Sequence, residues 1–271
     1  MKANGLRAQA SVLLGTLLAV AAAAMLSAQG GQKPPASPRA AAPIDLTGYW
    51  VSIVTQDWRW RMVPPIKGDY RGIQLNAEGR KVADAWDPAK DEAAGEACKS
   101  YGAPGLMNVP GRLRISWQDD RTLKVETDAG TQTRVFRFGN EPVPPGTAPS
   151  WQGHSVADWQ LSRTNVPLVL RPAEREPGEK PPPTPPGGWL RVRTTNLRPG
   201  YLRKNGVPYS ANTVLTEYWE SFTREGGDQW LTITTQVEDP QYLAQPRVIA
   251  IPFKKEPGGA KWDPAPCSAT W

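Results

Sequence analysis

The sequence predicts an all-β domain with minor helix, folded as an antiparallel barrel or strongly curved sheet of about eight to ten strands with one or two short helices. Apolar and polar residues alternate with a period of two in many short runs, and turn-forming residues separate these runs. The short loops between neighbouring runs favour antiparallel hairpins. A barrel of about eight strands can hold one small ligand.

The predicted strands follow one another along the chain. The first two are 49–53 and 58–62, and in the second Trp58 and Trp60 alternate with arginines. Later strands are separated by turn residues such as those at 118–120. These later strands are predicted at 113–115, 123–126, 134–138, 189–196, 214–222, 230–237 and 248–253.

One clear helix interrupts the strands. Asn76 is a favourable N-cap, apolar residues follow at helical spacing over 77–86, and Asp87-Pro88 ends the helix. A further short helix is expected at 89–97.

The first 28 residues have the pattern of an export signal. Lys2 and Arg7 precede an uncharged apolar run at 11–26, and small residues follow it. A membrane-spanning helix needs about 20 apolar residues, and this run is shorter and rich in alanine. We therefore expect cleavage of the signal peptide 1–28, no membrane span in the mature chain, and a periplasmic or secreted protein.

The mature chain divides into a linker and one domain. Residues 29–43 are rich in proline and small residues, which indicates an extended linker. Residues 44–271 are expected to form a single β domain. A second Pro-rich stretch at 171–188 is interpreted as a surface loop, because neither half alone has enough strands to close a sheet.

The charge of the chain does not indicate a nucleic-acid partner. The formal net charge is +6, but the basic residues are scattered rather than clustered. Arg191 and Arg193 alternate with Leu190 and Val192, as in any half-solvated strand.

Cys98 and Cys267 are the only two cysteines. In an oxidising compartment a disulfide between them is expected, with a structural role, and two buried free thiols are the alternative.

Several motifs resemble those of a family of exported, largely uncharacterised bacterial β proteins. They are Asp-Leu-Thr-Gly-Tyr-Trp at 45–50, Gly-His-Ser-Val-Ala-Asp-Trp at 153–159, Asp-Pro-Gln-Tyr at 239–242 and a cysteine-ended aromatic tail at 262–267. The Gly-Tyr-Trp at 48–50 is also similar to the Gly-x-Trp opening of lipocalins. The resemblance implies an exported β protein and no particular chemistry.

His154 is the only histidine and the natural candidate for general acid–base chemistry. Asp158 could orient it, and Glu217 could supply a carboxylate if its strand face, shared with Leu215 and Trp219, points inward. The alternative is structural: His154 donates to a backbone carbonyl and closes a loop.

Other catalytic arrangements lack support in the sequence. Ser155 lies in a motif that mimics a nucleophile elbow, but the pattern that follows predicts a strand rather than a helix, and the sequence has no second, remote histidine. One histidine and two distant cysteines do not suggest a zinc site, and nucleotide-binding motifs are lacking. We expect neither a metal nor a cofactor.

Twelve tryptophans make the chain unusually rich in that residue. Most are expected in the core, but a few aromatic side chains are candidates to line a ligand pocket, because their rings offer rigid amphipathic surfaces. The candidates are Trp58, Trp60, Trp151 and Tyr218.

Two functions are compatible with these features. The first is binding of an apolar or aromatic small molecule. The second is a cofactor-free enzyme, a lyase, isomerase or hydrolase, that uses His154 as general acid or base. An enzyme should place His154 and at least one of Asp57, Asp158, Glu217 or Tyr218 around a common pocket, and a binding protein need not.

Overall fold

The structure is a computed structural model that describes residues 36–55, 57–63, 65–161 and 187–270. Contacts divide the chain into two units, 1–36 and 37–271, and every element below belongs to the second. The predicted signal peptide, residues 29–35 of the predicted linker and residues 171–186 of the predicted surface loop lie outside the described residues.

Nine strands form a closed barrel, which confirms the predicted fold class. Around the barrel the order is β1, β11, β10, β9, β6, β5, β4, β3 and β2, and β2 pairs with β1 again. Every neighbouring pair is antiparallel except β4 and β5, which are parallel. The barrel strands are β1 (Gly48–Ser52), β2 (Arg112–Asp119), β3 (Thr122–Thr127), β4 (Thr133–Phe138), β5 (His154–Leu161), β6 (Gly188–Thr195), β9 (Val214–Thr223), β10 (Gln229–Glu238) and β11 (Arg247–Glu256). A separate hairpin pairs β7 (Gly200–Tyr201) with β8 (Pro208–Tyr209).

Short helices occupy the long connection between β1 and β2. The predicted helix after Asn76 is confirmed, and the Asn76 side chain accepts a 2.9 Å hydrogen bond from the Gly79 amide. Asp87 caps the next helix, with Pro88 at its first turn. The helices are α1 (Trp58–Arg61), α2 (Ala77–Asp84), α3 (Pro88–Ala93), a 3₁₀ helix (Ala97–Tyr101) and α4 (Ala103–Leu106).

The strand predicted at 58–62 is wrong, because these residues form α1. Asp57 turns the chain with a left-handed φ of 53° just before this helix. The Arg61 side chain is buried and donates to the Asn108 carbonyl and the Ser52 hydroxyl. These tertiary contacts override the local alternation of tryptophan and arginine.

Side chains fill the inside of the barrel. Inward positions of the strands carry large residues, and among the fully buried ones are Trp50, Phe136, Trp219 and Phe253. The interior that the sequence offered as a place for a ligand is therefore occupied by the core. A second hydrophobic cluster includes Tyr70, Leu202 and Tyr209. It also contains Leu215 and Val237, and so it covers the start of β9 and the end of β10.

The predicted disulfide is present. Cys98 in the 3₁₀ helix bonds to Cys267 near the C-terminus, and the two Cα atoms are 5.1 Å apart. The bond ties the C-terminal segment to the helices.

No helix in the described part of the chain is long and apolar enough to cross a membrane.

Candidate functional site

A groove of about 630 Å³ lies on the outer face of the four strands β5, β6, β9 and β10. Its floor consists of three rows of side chains that run across the strands. The strand registers place Asp158, Arg191 and Tyr218 in one row, Val156, Arg193, Thr216 and Gln236 in the next, and His154, Thr195 and Glu238 in the last. Strand and residue spacings make this floor roughly 14 by 13 Å, large enough for a molecule of one or two rings.

The groove side chains point outward because their sequence neighbours fill the core. On β6, Arg191 and Arg193 flank the fully buried Val192. On β9, Tyr218 lies between the fully buried Glu217 and Trp219. The alternation that the sequence showed for Arg191 and Arg193 is that of an ordinary strand, and only the register places them in a groove.

The wall of the groove follows from the one parallel step in the barrel. Since β4 and β5 are parallel, the chain must return along the outside between them, over residues 139–153. The first part of this return, residues 140–143, lines the groove. Its far end is held where the Ser150 amide donates to the Asn196 carbonyl.

Gly153 ends this return and must be a glycine. Its φ is +62°, and a Cβ there would lie 2.4 Å from the Thr195 carbonyl oxygen. The tight contact brings the following residue, His154, into β5 at the base of the groove wall.

The His154 side chain joins the floor to the wall. Its Nε2 lies 3.2 Å from the Glu141 carbonyl oxygen, and only 8% of the residue is exposed. Because a carbonyl only accepts, Nε2 carries the proton in this contact. This is the structural arrangement, a histidine that donates to a backbone carbonyl and closes a loop.

Asp158 does not orient His154. Four residues along a strand span about 13 Å, so the two side chains stand at opposite ends of the groove floor. Asp158 instead accepts hydrogen bonds from Arg191, at 3.0 Å, and from Gln160. His154 and Asp158 both line the groove, but they do not contact each other.

Arg193 stands in the middle row and has no counterion in the described part of the chain. Arg191 is paired with Asp158, whereas no hydrogen bond or ion pair joins Arg193 to another described residue. Tyr218 lies on the neighbouring strand, opposite Arg191 and diagonal to Arg193. An exposed guanidinium beside a phenol ring can bind a ligand that has both an acidic group and a ring.

Glu217 is not part of the groove. Its side chain is fully buried inside the barrel, where Arg134 holds it with two hydrogen bonds of 2.8 and 2.6 Å. The sequence left open whether the strand face with Leu215, Glu217 and Trp219 points inward or outward. In the structure it points into the barrel.

The three tryptophan candidates lie away from the groove. Trp58 and Trp60 line a second cavity of about 560 Å³ on α1 and the loop after it. Trp151 is half-buried, and the Arg198 guanidinium lies 4.5 Å from its ring centre. Of the four predicted ligand-binding residues, only Tyr218 lines the same groove as His154.

Several groove residues were missed from the sequence: Arg191, Arg193, Thr195, Thr216, Gln236 and Glu238. Within the described ranges, no three His, Cys, Asp or Glu side chains are grouped so that they could hold a metal ion.

Comparisons with family models, with curated proteins and with solved structures give no significant match. The functional interpretation of the groove therefore rests on its own residues.

Proposed function

We propose that this chain binds a small molecule in the outer groove of the barrel and that the ligand carries an acidic group next to a ring. The observation that carries the proposal is Arg193, a cation with no partner among the described residues, at the centre of a groove that also contains Tyr218. A hydrogen bond to a charged group contributes about 1.5–3 kcal/mol. The acidic group of the ligand would supply the counterion that Arg193 does not find among the described residues.

The lining also sets the polarity of the ligand. Thr195, Thr216 and Gln236 offer hydroxyl and amide groups on the floor of the groove, where Val156 is the only aliphatic residue; Val143 is in the wall. An entirely apolar ligand would leave these groups unpaired, which is costly. The proposed ligand is therefore more polar than the apolar or aromatic molecule that the tryptophan content suggested.

Binding is better supported than the enzymatic alternative. His154, Asp158 and Tyr218 do line a common groove, as an enzyme would require. However, the His154 Nε2 is engaged with the Glu141 carbonyl and Asp158 with Arg191. In our proposal His154 positions the wall of the groove, and no described residue acts on it as a catalytic partner.

The proposed site of action is outside the inner membrane. The basic and apolar segments of residues 1–28 support export, and the disulfide between Cys98 and Cys267 is compatible with an oxidising compartment.

The proposal is tested by screening the mature protein against aromatic carboxylates and uronic acids, each paired with its uncharged amide or methyl ester. Affinity is measured by intrinsic fluorescence and calorimetry. We expect an acid to bind at least tenfold more tightly than its uncharged counterpart, and Arg193→Gln to abolish that preference.

Arg224→Gln is the matched control, because Arg224 lies in the β9–β10 turn, about 26 Å along the strand from Thr216. Its affinity should equal that of the wild type. Equal binding of acids and uncharged counterparts, or wild-type affinity in Arg193→Gln, would contradict the proposal.

A further inference from the structure

Three arginine side chains are buried together beside the helices that cover the barrel end. They are Arg61 in α1, Arg203 in the loop between β7 and β8, and Arg247 at the start of β11. Their exposed fractions are 2%, 6% and 7%. We call Arg61, Arg203, Arg247 and the neighbouring Asp57 the arginine cluster.

The hydrogen bonds that the described residues make in the cluster leave two donors without partners. Arg203 donates from Nη1 to the Arg71 carbonyl at 2.7 Å, and Arg247 from Nη2 to Asn108 Oδ1 at 3.3 Å. Arg203 Nη2 and Arg247 Nη1 are buried, and neither has a hydrogen-bond partner among the described residues. Buried guanidinium donors are normally satisfied, so these two atoms need an explanation.

The negative charge near the cluster does not match its positive charge. Within the described ranges, Asp57 is the only carboxylate in ion-pair range of Arg203 and Arg247, and its Oδ2 lies 3.7 Å from the Nη2 of each. That separation is longer than a hydrogen bond between a guanidinium nitrogen and a carboxylate oxygen. The carboxylate of Asp69 accepts two hydrogen bonds from the Arg71 side chain, one from the Arg71 amide and one from Trp60.

The burial of the cluster adds to this mismatch. Burial lowers the pKa of Arg61 and Arg203, and burial followed by the charge of Arg203 lowers the pKa of Arg247 to about 10. An arginine side chain keeps its proton at neutral pH, so the cluster holds three cations and, in the described part of the chain, the single carboxylate of Asp57. Asp57 itself has a left-handed φ of 53°, a conformation that costs energy for a residue other than glycine.

We propose that Arg203 and Arg247 form a binding site for an oxyanion, the phosphate or carboxylate group of a small molecule. The oxyanion would accept hydrogen bonds from Arg203 Nη2 and Arg247 Nη1 and balance the cluster. Guanidinium groups are suited to this, because their planar fork of donors matches two oxygens of one anion. In its absence, Asp57 serves as a distant internal counterion.

In this proposal the anion reaches the cluster from the second cavity. It is lined by Trp58 and Trp60, and the Trp60 ring centre lies 5.1 Å from the Arg203 guanidinium carbon. The Trp60 ring therefore contacts both the second cavity and the arginine cluster. This site is separate from the outer groove and does not depend on the function proposed for that groove.

The test is calorimetric titration of the mature protein with inorganic phosphate and, separately, with acetate, at an ionic strength held constant with sodium chloride. We expect one anion per chain to bind. Binding of phosphate alone assigns a tetrahedral oxyanion, and binding of acetate assigns a carboxylate. No binding of either anion overturns the proposal.

Variants locate the site. Arg247→Gln should weaken anion binding at least tenfold, whereas Arg224→Gln in the distant turn should leave it unchanged. Asp57→Asn removes the competing carboxylate and should tighten binding at least tenfold. Circular dichroism checks the fold of each variant.

Asp57→Asn keeps the test decisive if Arg247→Gln does not fold. Unchanged or weaker anion binding by Asp57→Asn would overturn the proposal, as would wild-type affinity in a folded Arg247→Gln. Loss of phosphate or acetate binding in Arg193→Gln would place the anion in the outer groove instead.

Discussion

The ion pair inside the barrel gives the sharpest stability prediction. Arg134 and Glu217 are both fully buried and share two hydrogen bonds, and Arg134 also donates to Thr194 at 3.3 Å. Glu217→Gln would leave the Arg134 charge buried without its counterion. Removing one partner of a buried pair costs about 3–5 kcal/mol, a large share of the 5–15 kcal/mol that holds a typical domain together. We therefore expect a loss of about 3–5 kcal/mol in the free energy of unfolding.

The assay is equilibrium unfolding in urea, followed by tryptophan fluorescence with the disulfide intact. Glu220→Gln is the matched control, because Glu220 is exposed on the same strand, and its effect should stay within about 0.5 kcal/mol. The double variant Arg134→Met/Glu217→Leu replaces both charges with apolar groups and should be neutral or more stable by about 1–4 kcal/mol. If Glu217→Gln lowers the free energy of unfolding no more than Glu220→Gln does, the buried ion pair does not stabilise the fold as predicted.

Two further predictions concern the rest of the barrel. Replacing Cys98 and Cys267 by serine should lower the free energy of unfolding by about 4–5 kcal/mol, because the bond closes a loop with a sequence separation of 169 residues; a thermal midpoint equal to that of the wild type would contradict this. Hydrogen bonds from Arg114 keep the pKa of Glu126 below its ordinary value, so the stability that this carboxylate contributes is present above the unfolded-state pKa and lost as the pH falls. The unfolding free energy of the wild type should therefore fall more steeply from about pH 5 to about pH 3 than that of Glu126→Gln, and parallel pH profiles would show that the pair contributes nothing measurable.

The strand periodicity predicted most of the barrel, because it depends only on which residues alternate. It correctly grouped Leu215, Glu217 and Trp219 on one face. It could not identify the inward face, because the partner that allows a carboxylate there, Arg134, is 83 residues away along the chain. Only the closure of the barrel brings the two charges together.

The groove was harder to predict for the same reason. His154 and Tyr218 were both candidates, but their common groove depends on the register of β5, β6 and β9. The Trp58 and Trp60 alternation was misleading, because the buried contacts of Arg61 turn that segment into a helix. Local pattern alone does not reveal such long-range contacts.

The central claim is that the ligand binds on the outside of the barrel, and the single histidine allows a direct test. One imidazole gives one pair of ring nitrogen signals in the NMR spectrum of the ¹⁵N-labelled protein, and the contact with Glu141 predicts that the neutral ring carries its proton on Nε2. Titration with the tightest-binding acid from the screen should shift the His154 ring signals and the Thr216 and Tyr218 amide signals with one common dissociation constant. The indole signal of the buried Trp219 should not move. A shift of the Trp219 indole with the His154 signals unchanged would place the ligand inside the barrel and contradict the account.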